Sequence, residues 1–363
     1  MKVALVHDYL NQYGGGERVL ECLMEMFPEA PVYTLLHDVE KTGGRFESRV
    51  VKTSFLDFKF ARRNHRWFIP FMPLAARSLN LGDKYDLIIS DTAGFAKGIR
   101  YNRLTTKHIS YIHTPLRYAW EQEEYLGNLM TNSQLLISKP ILNYLKNWDY
   151  KYGKRPDVLL ANSKFIGKKV KEYYGRPAKV VYPPVDMDVF YYDEGEKPKI
   201  RNPYYLAIGR VLHYKRFDLV VEAFKKLGLP LKIAGGGPEL ENIKKLAAGV
   251  GNIEFLSFLN DENDLRKLYA GAKALIFPQV EDFGLVAAEA QACGTPVIAY
   301  AEGGALEIVE NGKTGILFPQ QSVESLVGAV ELFERKRFSR KAIATSAQRF
   351  SKEHFRREIV SLI

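Results

Sequence analysis

Two glutamates, Glu281 and Glu289, stand eight residues apart in the segment PQVEDFGLVAAEAQACGTPVIA. The strand-like run ALIFP precedes Glu281, and an apolar helix that begins near Gly284 carries Glu289. Ligands of open α/β sheets bind outside the carboxyl ends of strands, where carboxylates suit the neighbouring hydroxyls of a sugar or ribose. The backbone amides of Phe283, Gly284 and Leu285 open the same helix and favour a phosphate. The segment therefore predicts a nucleotide-sugar site, although a glutamate near a helix start also stabilises the helix dipole by about 0.3–1 kcal/mol.

A second candidate phosphate site is the segment GRVLHYKRFD, which follows a strand directly. Arg210 and Lys215 stand five residues apart across a turn that begins a helix, so both can reach one anion. A guanidinium grips phosphate in a fork and an ammonium adds a compact charge, although solvated cations on a surface turn are the alternative. A D-x-D pair, Asp186 and Asp188, hints at a divalent metal, but it lies just before a linker. We therefore predict a metal-independent site and no cofactor.

The first half of the chain offers a glycine-rich turn and polar residues at strand ends. The glycines at 14–16 lie between the first strand and the first helix, where glycine allows φ > 0 and a close backbone approach to a ligand. They do not form the G-x-G-x-x-G pattern of dinucleotide sites. His113 ends the apolar strand ISYIH and could donate to a sugar hydroxyl, or could be a satisfied strand-end histidine. His7 and Asp8 could touch an acceptor or merely finish the first strand, and the glycine turn AGGGPE at 234–239 is interpreted mainly as structural.

Strand and helix patterns alternate along the 363 residues, which predicts parallel sheets covered on both faces by helices. The alternation breaks at the polar, proline-containing segment YYDEGEKPKIRNP. We therefore predict an α/β protein of two doubly wound, Rossmann-like domains that face each other across a cleft. The expected parts are an acceptor-side domain at 1–190, a linker at 191–203, a nucleotide-sugar-binding domain at 204–335 and a helical tail at 336–363 that packs back on the first domain.

The net charge of +10 is concentrated in residues 41–107, which hold 14 Lys and Arg against 5 Asp and Glu. The densest part mixes basic and aromatic side chains around Arg62, Arg63, Arg66 and Trp67. Such a mixture is typical of a helix on an anionic membrane surface, of a nucleic-acid patch, or of a solvated basic face over a local core. No apolar run reaches the ~20 residues of a membrane span, the N-terminus lacks a signal-peptide pattern, and the two cysteines look like buried small hydrophobes. We expect a cytoplasmic protein that can contact the inner face of the membrane.

Several segments together resemble glycosyltransferase family 4, a large retaining family with the GT-B fold. They are GGGERV, YIHTP, PPVDMDVF, GRVLHYKR, the E-x7-E pair and GGALEIVENGKTGILFP, and the resemblance runs from residue 2 to about 333. The segment YIHTPLRYAW is most similar to mannosyltransferases of bacterial O-antigen and polysaccharide synthesis. One departure is PPVD, where the family often has N-G-V-D, and it changes a turn near the linker rather than the chemistry.

The resemblance implies a role for each donor-side residue. Arg210 and Lys215 would bind the donor diphosphate and stabilise the leaving nucleotide. Glu281 would hold hydroxyls of the donor sugar, with the amides at 283–285 beside it, and Glu289 would bind the ribose.

For the first domain, the resemblance implies that Gly15 and Gly16 approach the diphosphate and that His113 contacts the donor sugar near its reacting face. No acidic residue there stands out as the nucleophile that retaining glycosidases use. The acceptor would then attack from the leaving-group face, with a phosphate oxygen taking its proton. The implied function is transfer of a hexose, with mannose favoured, from GDP-mannose to a glycan or lipid-linked saccharide in polysaccharide biosynthesis. A UDP-sugar donor is the next alternative, followed by sugar-nucleotide epimerisation. A nucleic-acid binder would leave the two glutamates unexplained, so we predict no nucleic-acid partner.

Overall fold

The computed structural model describes residues 1–122, 132–195, 203–257 and 261–363. The chain forms two compact units, Met1–Tyr182 and Pro183–Ile363. The division falls before the expected domain end at residue 190, and the C-terminal helices belong to the second unit. Most of the expected linker, at 196–202, lies outside the described residues. Packing of the 336–363 tail on the first unit stays a prediction.

The N-terminal unit is built around parallel strands. The strands that the structure describes are β1 (Val3–Leu10), β2 (Val32–His37), β3 (Val50–Thr53), β4 (Asn80–Gly82), β5 (Leu87–Thr92), β6 (Arg100–Tyr101), β7 (Lys107–Ile112), β8 (Val158–Ala161) and β9 (Lys179–Val180). Seven of them form one sheet in the order β3-β2-β1-β5-β7-β8-β9, and β4 pairs with β6. Strand β1 is buried along almost its whole length, because helices cover both faces of a parallel sheet.

Helices connect these strands. They are α1 (Gly15–Met26), α2 (Lys59–Arg63), α3 (Met72–Ser78), α4 (Arg117–Trp120), α5 (Asn132–Gly153) and α6 (Lys164–Tyr174), with 3₁₀ turns at His65–Phe71 and Ala96–Gly98. Helix α6 begins where its sequence indicates, since the Ser163 hydroxyl accepts from the Ile166 amide at 3.0 Å. A cap of this kind stabilises a helix by about 1 kcal/mol.

The C-terminal unit repeats the architecture. Its described strands are β10 (Tyr204–Ile208), β11 (Leu231–Ala234), β12 (Ile253–Leu256), β13 (Ala272–Phe277), β14 (Val297–Tyr300) and β15 (Gly315–Phe318). They form a parallel sheet in the order β12-β11-β10-β13-β14-β15. Its helices are α7 (Phe217–Leu227), α8 (Leu240–Leu246), α9 (Glu262–Gly271), α10 (Leu285–Ala292), α11 (Ala305–Ile308), α12 (Val323–Glu334), α13 (Arg340–Ala347) and α14 (Lys352–Val360), with 3₁₀ turns at His213–Lys215 and Gln348–Phe350.

Each sheet reverses its winding beside its first strand. Strand β1 pairs with β2 on one side and β5 on the other, and β10 pairs with β11 and β13 in the same way. Such a reversal is the switch point at which doubly wound sheets bind ligands. The candidate site residues lie in or after β1 and after β7 in the first unit, and after β10 and β13 in the second. The predicted parallel α/β architecture is therefore confirmed in both units.

Candidate active site

The β10/β13 switch point holds an ion pair between Lys215 and Glu281. Lys215 ends the 3₁₀ turn after β10, Glu281 lies in the loop after β13, and Lys215 Nζ stands 2.5 Å from Glu281 Oε1. Their side chains are 14% and 19% exposed, so the pair is shielded from solvent yet open to a ligand. The family resemblance implied that these two residues serve one ligand, and the fold brings them into contact. Arg210 lies two residues after the end of β10 and is exposed.

Close glycine contacts fix the segment that carries Arg210. A Cβ at Gly235 would stand 2.0 Å from Gly209 O, and one at Gly237 would stand 2.4 Å from Val211 O. Both Gly235 and Gly237 have positive φ, 137° and 157°, which other residues rarely adopt. These contacts support the interpretation of AGGGPE as mainly structural.

A second glycine pair fixes the loop that carries Glu281. The Gly304 amide donates to Glu281 O at 2.8 Å. A Cβ at Gly304 would stand 2.1 Å from Phe283 O, and one at Gly303, where φ is 68°, would stand 2.5 Å from Glu281 O. The segment after β14 can pack on the Glu281 loop only because both positions lack a side chain.

Helix α10 begins at this loop, after Gly284 with φ 102°. The first amides of a helix have no intrahelical acceptor, so the amides of Gly284 and Leu285 are placed where an anion could accept from them. Binding of a phosphate by the amides of Phe283, Gly284 and Leu285 stays a prediction. The ring of Phe283 is 4% exposed and packs edge-to-face on Phe350 at 5.3 Å. The side chain of Phe283 is therefore closed to a ligand.

Glu289 lies in the same helix and is almost closed to solvent, at 2% exposed. The Tyr269 hydroxyl donates to Glu289 Oε2 at 3.1 Å. The carboxylate expected to bind a ribose is thus oriented from within the unit by Tyr269, which no sequence pattern indicated.

The β1/β5 switch point of the N-terminal unit holds a carboxylate between two histidines. Asp91, at the end of β5, contacts His7 Nδ1 through Oδ2 at 2.8 Å and His113 Nε2 through Oδ1 at 2.5 Å. Glu17 Oε1 stands 3.7 Å from His7 Nε2. The sheet order produces the cluster, because β5 lies between β1 and β7 and His7 is the register partner of Asp91.

Charge pairing sets the protonation of this cluster. Burial acts to lower the pKa of His7, but Asp91 and Glu17 outweigh it and raise the pKa from 6.5 to about 10. For His113, burial again acts to lower the pKa and Asp91 prevails, so the pKa is raised. Burial acts to raise the pKa of Asp91, but the two histidines lower it overall. At neutral pH the ionised Asp91 carboxylate therefore holds a protonated His7, and the same carboxylate favours the protonated form of His113.

The glycine turn at 14–16 lies beside these histidines, and its backbone conformation differs from the expected one. None of the glycines at 14–16 has positive φ: Gly14 is extended at φ −159° and helix α1 begins at Gly15. A Cβ at Gly16 would meet His113 Nε2 at 3.5 Å and His7 Cε1 at 3.7 Å. The expectation of φ > 0 was wrong, and a Cβ at Gly16 would make only ordinary van der Waals contacts with the two rings.

Asp8 does not present its carboxylate to an acceptor. It is 4% exposed. Its oxygens accept from the Thr92 hydroxyl and from the amides of Ala93, Phe95 and Ala96, at 2.5–3.1 Å. The expectation of an acceptor contact is corrected, because Asp8 fixes the turn after β5.

The basic aromatic segment proves to be partly structural and partly exposed. Arg62 forms a two-point contact with Asp57, Nε–Oδ1 at 2.6 Å and Nη2–Oδ2 at 3.0 Å. The expectation that Arg62 is available for a surface partner is therefore corrected, because its guanidinium is paired within the fold. Arg63 and Arg66 are exposed, and Trp67 is 73% exposed. Helix α2 and the 3₁₀ turn His65–Phe71 carry these side chains.

The D-x-D pair has a role in the fold. Asp186 Oδ2 stands 2.7 Å from Lys352 Nζ, and Asp186 Oδ1 accepts from the Asp188 amide at 3.1 Å. Across the described residues, no group of three or more His, Cys, Asp or Glu side chains is arranged to hold a metal ion. In the same part of the chain, no helix combines the length and the apolar composition that crossing a membrane requires.

Two family descriptions match the chain. "Glycosyltransferase Family 4" matches residues 13–189 and "Glycosyl transferases group 1" matches residues 193–350. The chain belongs to glycosyltransferase family 4. The two matched regions of this family 4 chain divide close to the boundary between its compact units.

Curated relatives match this family 4 chain over about half of its length. The D-inositol 3-phosphate glycosyltransferase of Mycobacteroides abscessus is 35% identical over 214 residues, 53% of this chain and 48% of that protein. The GDP-mannose-dependent alpha-(1-6)-phosphatidylinositol monomannoside mannosyltransferase of Mycobacterium tuberculosis is 31% identical over 202 residues, 49% of this chain and 52% of that protein. The chain thus spans about half the length of the curated relatives it matches.

Solved structures extend the likeness to the whole chain. Anabaena HepE in complex with UDP has a TM-score of 0.72 at 20% identity and covers 100% of this chain and 99% of its own. Sucrose-phosphate synthase from Thermosynechococcus elongatus has a TM-score of 0.69 at 16% identity, covering 99% and 98%. At such identities the likeness shows the fold alone, which is GT-B as the resemblance implied.

Proposed function

We propose that this family 4 chain is a retaining glycosyltransferase that moves a hexose from a nucleotide-sugar to a glycan or lipid-linked acceptor. The observation that carries the proposal is the contact between Lys215 and Glu281 at a switch point. In a nucleotide-sugar, a doubly charged diphosphate lies next to the hydroxyls of a hexose. Its site therefore needs a cation and a hydrogen-bond acceptor side by side, which this pair supplies.

The C-terminal unit supplies the groups that stabilise the leaving nucleotide. Breaking the anomeric bond moves negative charge onto the diphosphate, and cations already in place stabilise that charge most in the transition state. Lys215 is such a cation, Arg210 follows the same strand, and the first amides of α10 add partial positive charge. With these groups, the reaction that we propose requires no metal ion and no cofactor.

Retention of configuration is proposed to proceed without an enzyme nucleophile. Asp91 is a carboxylate near the candidate sugar-contacting His113, but it is fully buried and both of its oxygens face histidines. A nucleophilic carboxylate has to reach the anomeric carbon, so the position of Asp91 supports attack by the acceptor from the leaving-group face. A phosphate oxygen then takes the acceptor proton, His113 contacts the donor sugar, and the backbone at Gly15 and Gly16 contacts the diphosphate.

We propose GDP-mannose as the donor. Support comes from the Mycobacterium tuberculosis relative, whose name describes a GDP-mannose-dependent mannosyltransferase, and from the segment YIHTPLRYAW. The alternative is a UDP-sugar, because the Anabaena neighbour was solved with UDP. Calorimetry of GDP against UDP in metal-free buffer separates the two: GDP binding at least tenfold tighter is expected, and the reverse preference would overturn the donor.

The Lys215→Ala variant tests the chemistry. We expect kcat to fall by about 10²–10³, the usual effect of losing one preorganised charge-stabilising group. Lys226→Ala is the matched control, because Lys226 pairs with Glu324 at 2.9 Å on the exposed surface of the same unit. Unchanged turnover in Lys215→Ala would refute the phosphate role.

We also propose that the exposed part of the basic aromatic segment contacts an anionic membrane surface where a lipid-linked acceptor lies. Arg63, Arg66 and Trp67 carry the contact, because an exposed indole beside cations suits the headgroup region. The segment is tied to the end of β1, since Asn11 Nδ2 donates to His65 Nδ1 at 3.2 Å. The basic aromatic segment therefore lies near the end of β1, the strand that carries His7 of the candidate site.

Sedimentation with phosphatidylglycerol vesicles and with neutral phosphatidylcholine vesicles tests this proposal. We expect binding to the anionic vesicles only, and at least a fivefold loss of binding in Trp67→Ala with Arg66→Glu. Leu104→Ala is the control, because Leu104 is 95% exposed in the same unit but outside the segment. The proposal would be contradicted if the wild type sedimented equally with both kinds of vesicle. It would also be contradicted if the Trp67→Ala, Arg66→Glu double variant sedimented with anionic vesicles as well as the Leu104→Ala control does.

A further inference from the structure

The turn that presents Lys215 contains a strained residue. Within the described ranges, Arg216 is the one residue other than glycine with positive φ, at φ 54° and ψ 38°. A left-handed backbone is unfavourable for a non-glycine residue and persists only where its surroundings hold it in place. The strain lies between the 3₁₀ turn that ends at Lys215 and the start of α7.

The Arg216 side chain links two segments of the candidate site. Its guanidinium contacts the Asp218 carboxylate at 3.2–3.3 Å and donates through Nη1 to Gln321 Oε1 at 2.9 Å. Gln321 Nε2 in turn donates to Pro278 O at 2.8 Å. Pro278 directly follows β13 and lies three residues before Glu281. A chain of hydrogen bonds therefore joins the Lys215 turn to the Glu281 loop.

We infer that Arg216 and Gln321 are positioning residues that hold Lys215 and Glu281 in register for the donor. The backbone of Arg216 orients Lys215, and its side chain, acting through Gln321, fixes the loop of Glu281. Neither residue needs to touch the ligand. The inference rests on the proposed function, and it adds the requirement that the two binding groups be locked to each other. A displacement of about 1 Å at such a site can cost 10²-fold in rate.

Two variants separate this role from a contribution to folding. Arg216→Gly deletes the clamp but suits the left-handed backbone, so its thermal midpoint should stay close to the wild-type value. Gln321→Glu keeps an acceptor for Arg216 and removes the donor to Pro278, which breaks only the second half of the chain. Gln320→Glu is the matched control, because it makes the same charge change at the exposed neighbouring position.

The readouts are the KM for the nucleotide-sugar, kcat, GDP affinity by calorimetry and the thermal midpoint. We expect Arg216→Gly and Gln321→Glu each to raise KM about tenfold and to lower kcat, with Gln320→Glu unchanged. The double variant should lose little more than either single variant, since both act through one chain.

Different results would refute the proposed function and the positioning role of Arg216 and Gln321. Wild-type protein that binds neither GDP nor UDP would refute the proposed function. Wild-type protein that binds nucleotide while both single variants keep KM and kcat within twofold would overturn the positioning role alone. Additive losses in the double variant would also overturn it.

Discussion

The contact at Gly304 leads to a sharp prediction, because a single methyl group there should displace the Glu281 loop. A Cβ at Gly304 would stand 2.1 Å from Phe283 O and 2.4 Å from Phe283 Cα. An ordinary carbon–oxygen contact needs about 3.4 Å, and close packing leaves few voids to absorb a shift. The Phe283 peptide must therefore move by about 1 Å or more in Gly304→Ala. This movement also strains the hydrogen bond from the Gly304 amide to Glu281 O, which measures 2.8 Å.

Two magnitudes follow from this displacement. Overpacking of a tight contact costs about 1–3 kcal/mol of folding free energy, equivalent to a fall of about 2–12 °C in the thermal midpoint of a unit of this size. A 1 Å misplacement of binding groups can cost about 10²-fold in kcat/KM. We therefore expect Gly304→Ala to fold, with a modest loss of stability and a much larger loss of activity.

The assay is donor-dependent sugar transfer, measured beside thermal unfolding of the same preparations. Gly328→Ala serves as the control, because a Cβ at this position in α12 meets nothing within 4 Å. Replacing glycine inside a helix should instead stabilise by about 0.5–1 kcal/mol. Wild-type kcat/KM in Gly304→Ala would refute the reasoning that the glycine contact positions Glu281.

Three further predictions concern the charged groups. Tyr269→Phe removes the hydroxyl that donates to the buried Glu289, so calorimetry should show GDP binding about fivefold weaker, and unchanged affinity would contradict a ribose contact at Glu289. Glu281→Gln removes the carboxylate that competes for Lys215, so GDP should bind several-fold more tightly while turnover falls about 10²-fold; weaker GDP binding would speak against this competition. Burial, followed by nearby positive charges, lowers the pKa of His108 from 6.5 to about 3, so its contribution to stability is complete above pH 6.5 and is lost as the pH falls from 6.5 towards 3. Urea unfolding should show about 1.5 kcal/mol lost to this residue between pH 6.5 and pH 5, and His108→Gln, compared at both pH values, should lose less.

Much of the architecture was predictable because it depends on local composition. A parallel strand covered on both faces needs a nearly continuous apolar run, and such runs mark β1, β5 and β13. The convergence of Lys215 and Glu281 followed from the same pattern. Both residues lie in the segments that follow strands β10 and β13, and the carboxyl ends of parallel strands lie along one edge of a sheet.

Other parts of the site depend on contacts between distant segments, which local patterns do not specify. Asp91 was missed because it reads as the end of an ordinary apolar strand, and only the order β1-β5-β7 places it between His7 and His113. The left-handed backbone at Arg216 could not be predicted from the segment alone, since one of the two side-chain partners of Arg216, Gln321, is 105 residues away.

On the proposed function, the pairing of Lys215 with Glu281 gives the ligand-free site a way to discriminate between substrate and product. Glu281 restrains Lys215 before any ligand binds, so a donor diphosphate finds a cation that has already lost part of its side-chain freedom. In a complete nucleotide-sugar, the phosphates can bind the Lys215 ammonium while the sugar hydroxyls donate to the Glu281 carboxylate, so both charged groups keep partners. A free nucleotide binds Lys215 but has no hexose hydroxyls to donate to Glu281. The shielded carboxylate is then left without a partner, which costs free energy. Once the hexose has been transferred, Glu281 therefore competes with the diphosphate for Lys215 and favours release of the nucleotide.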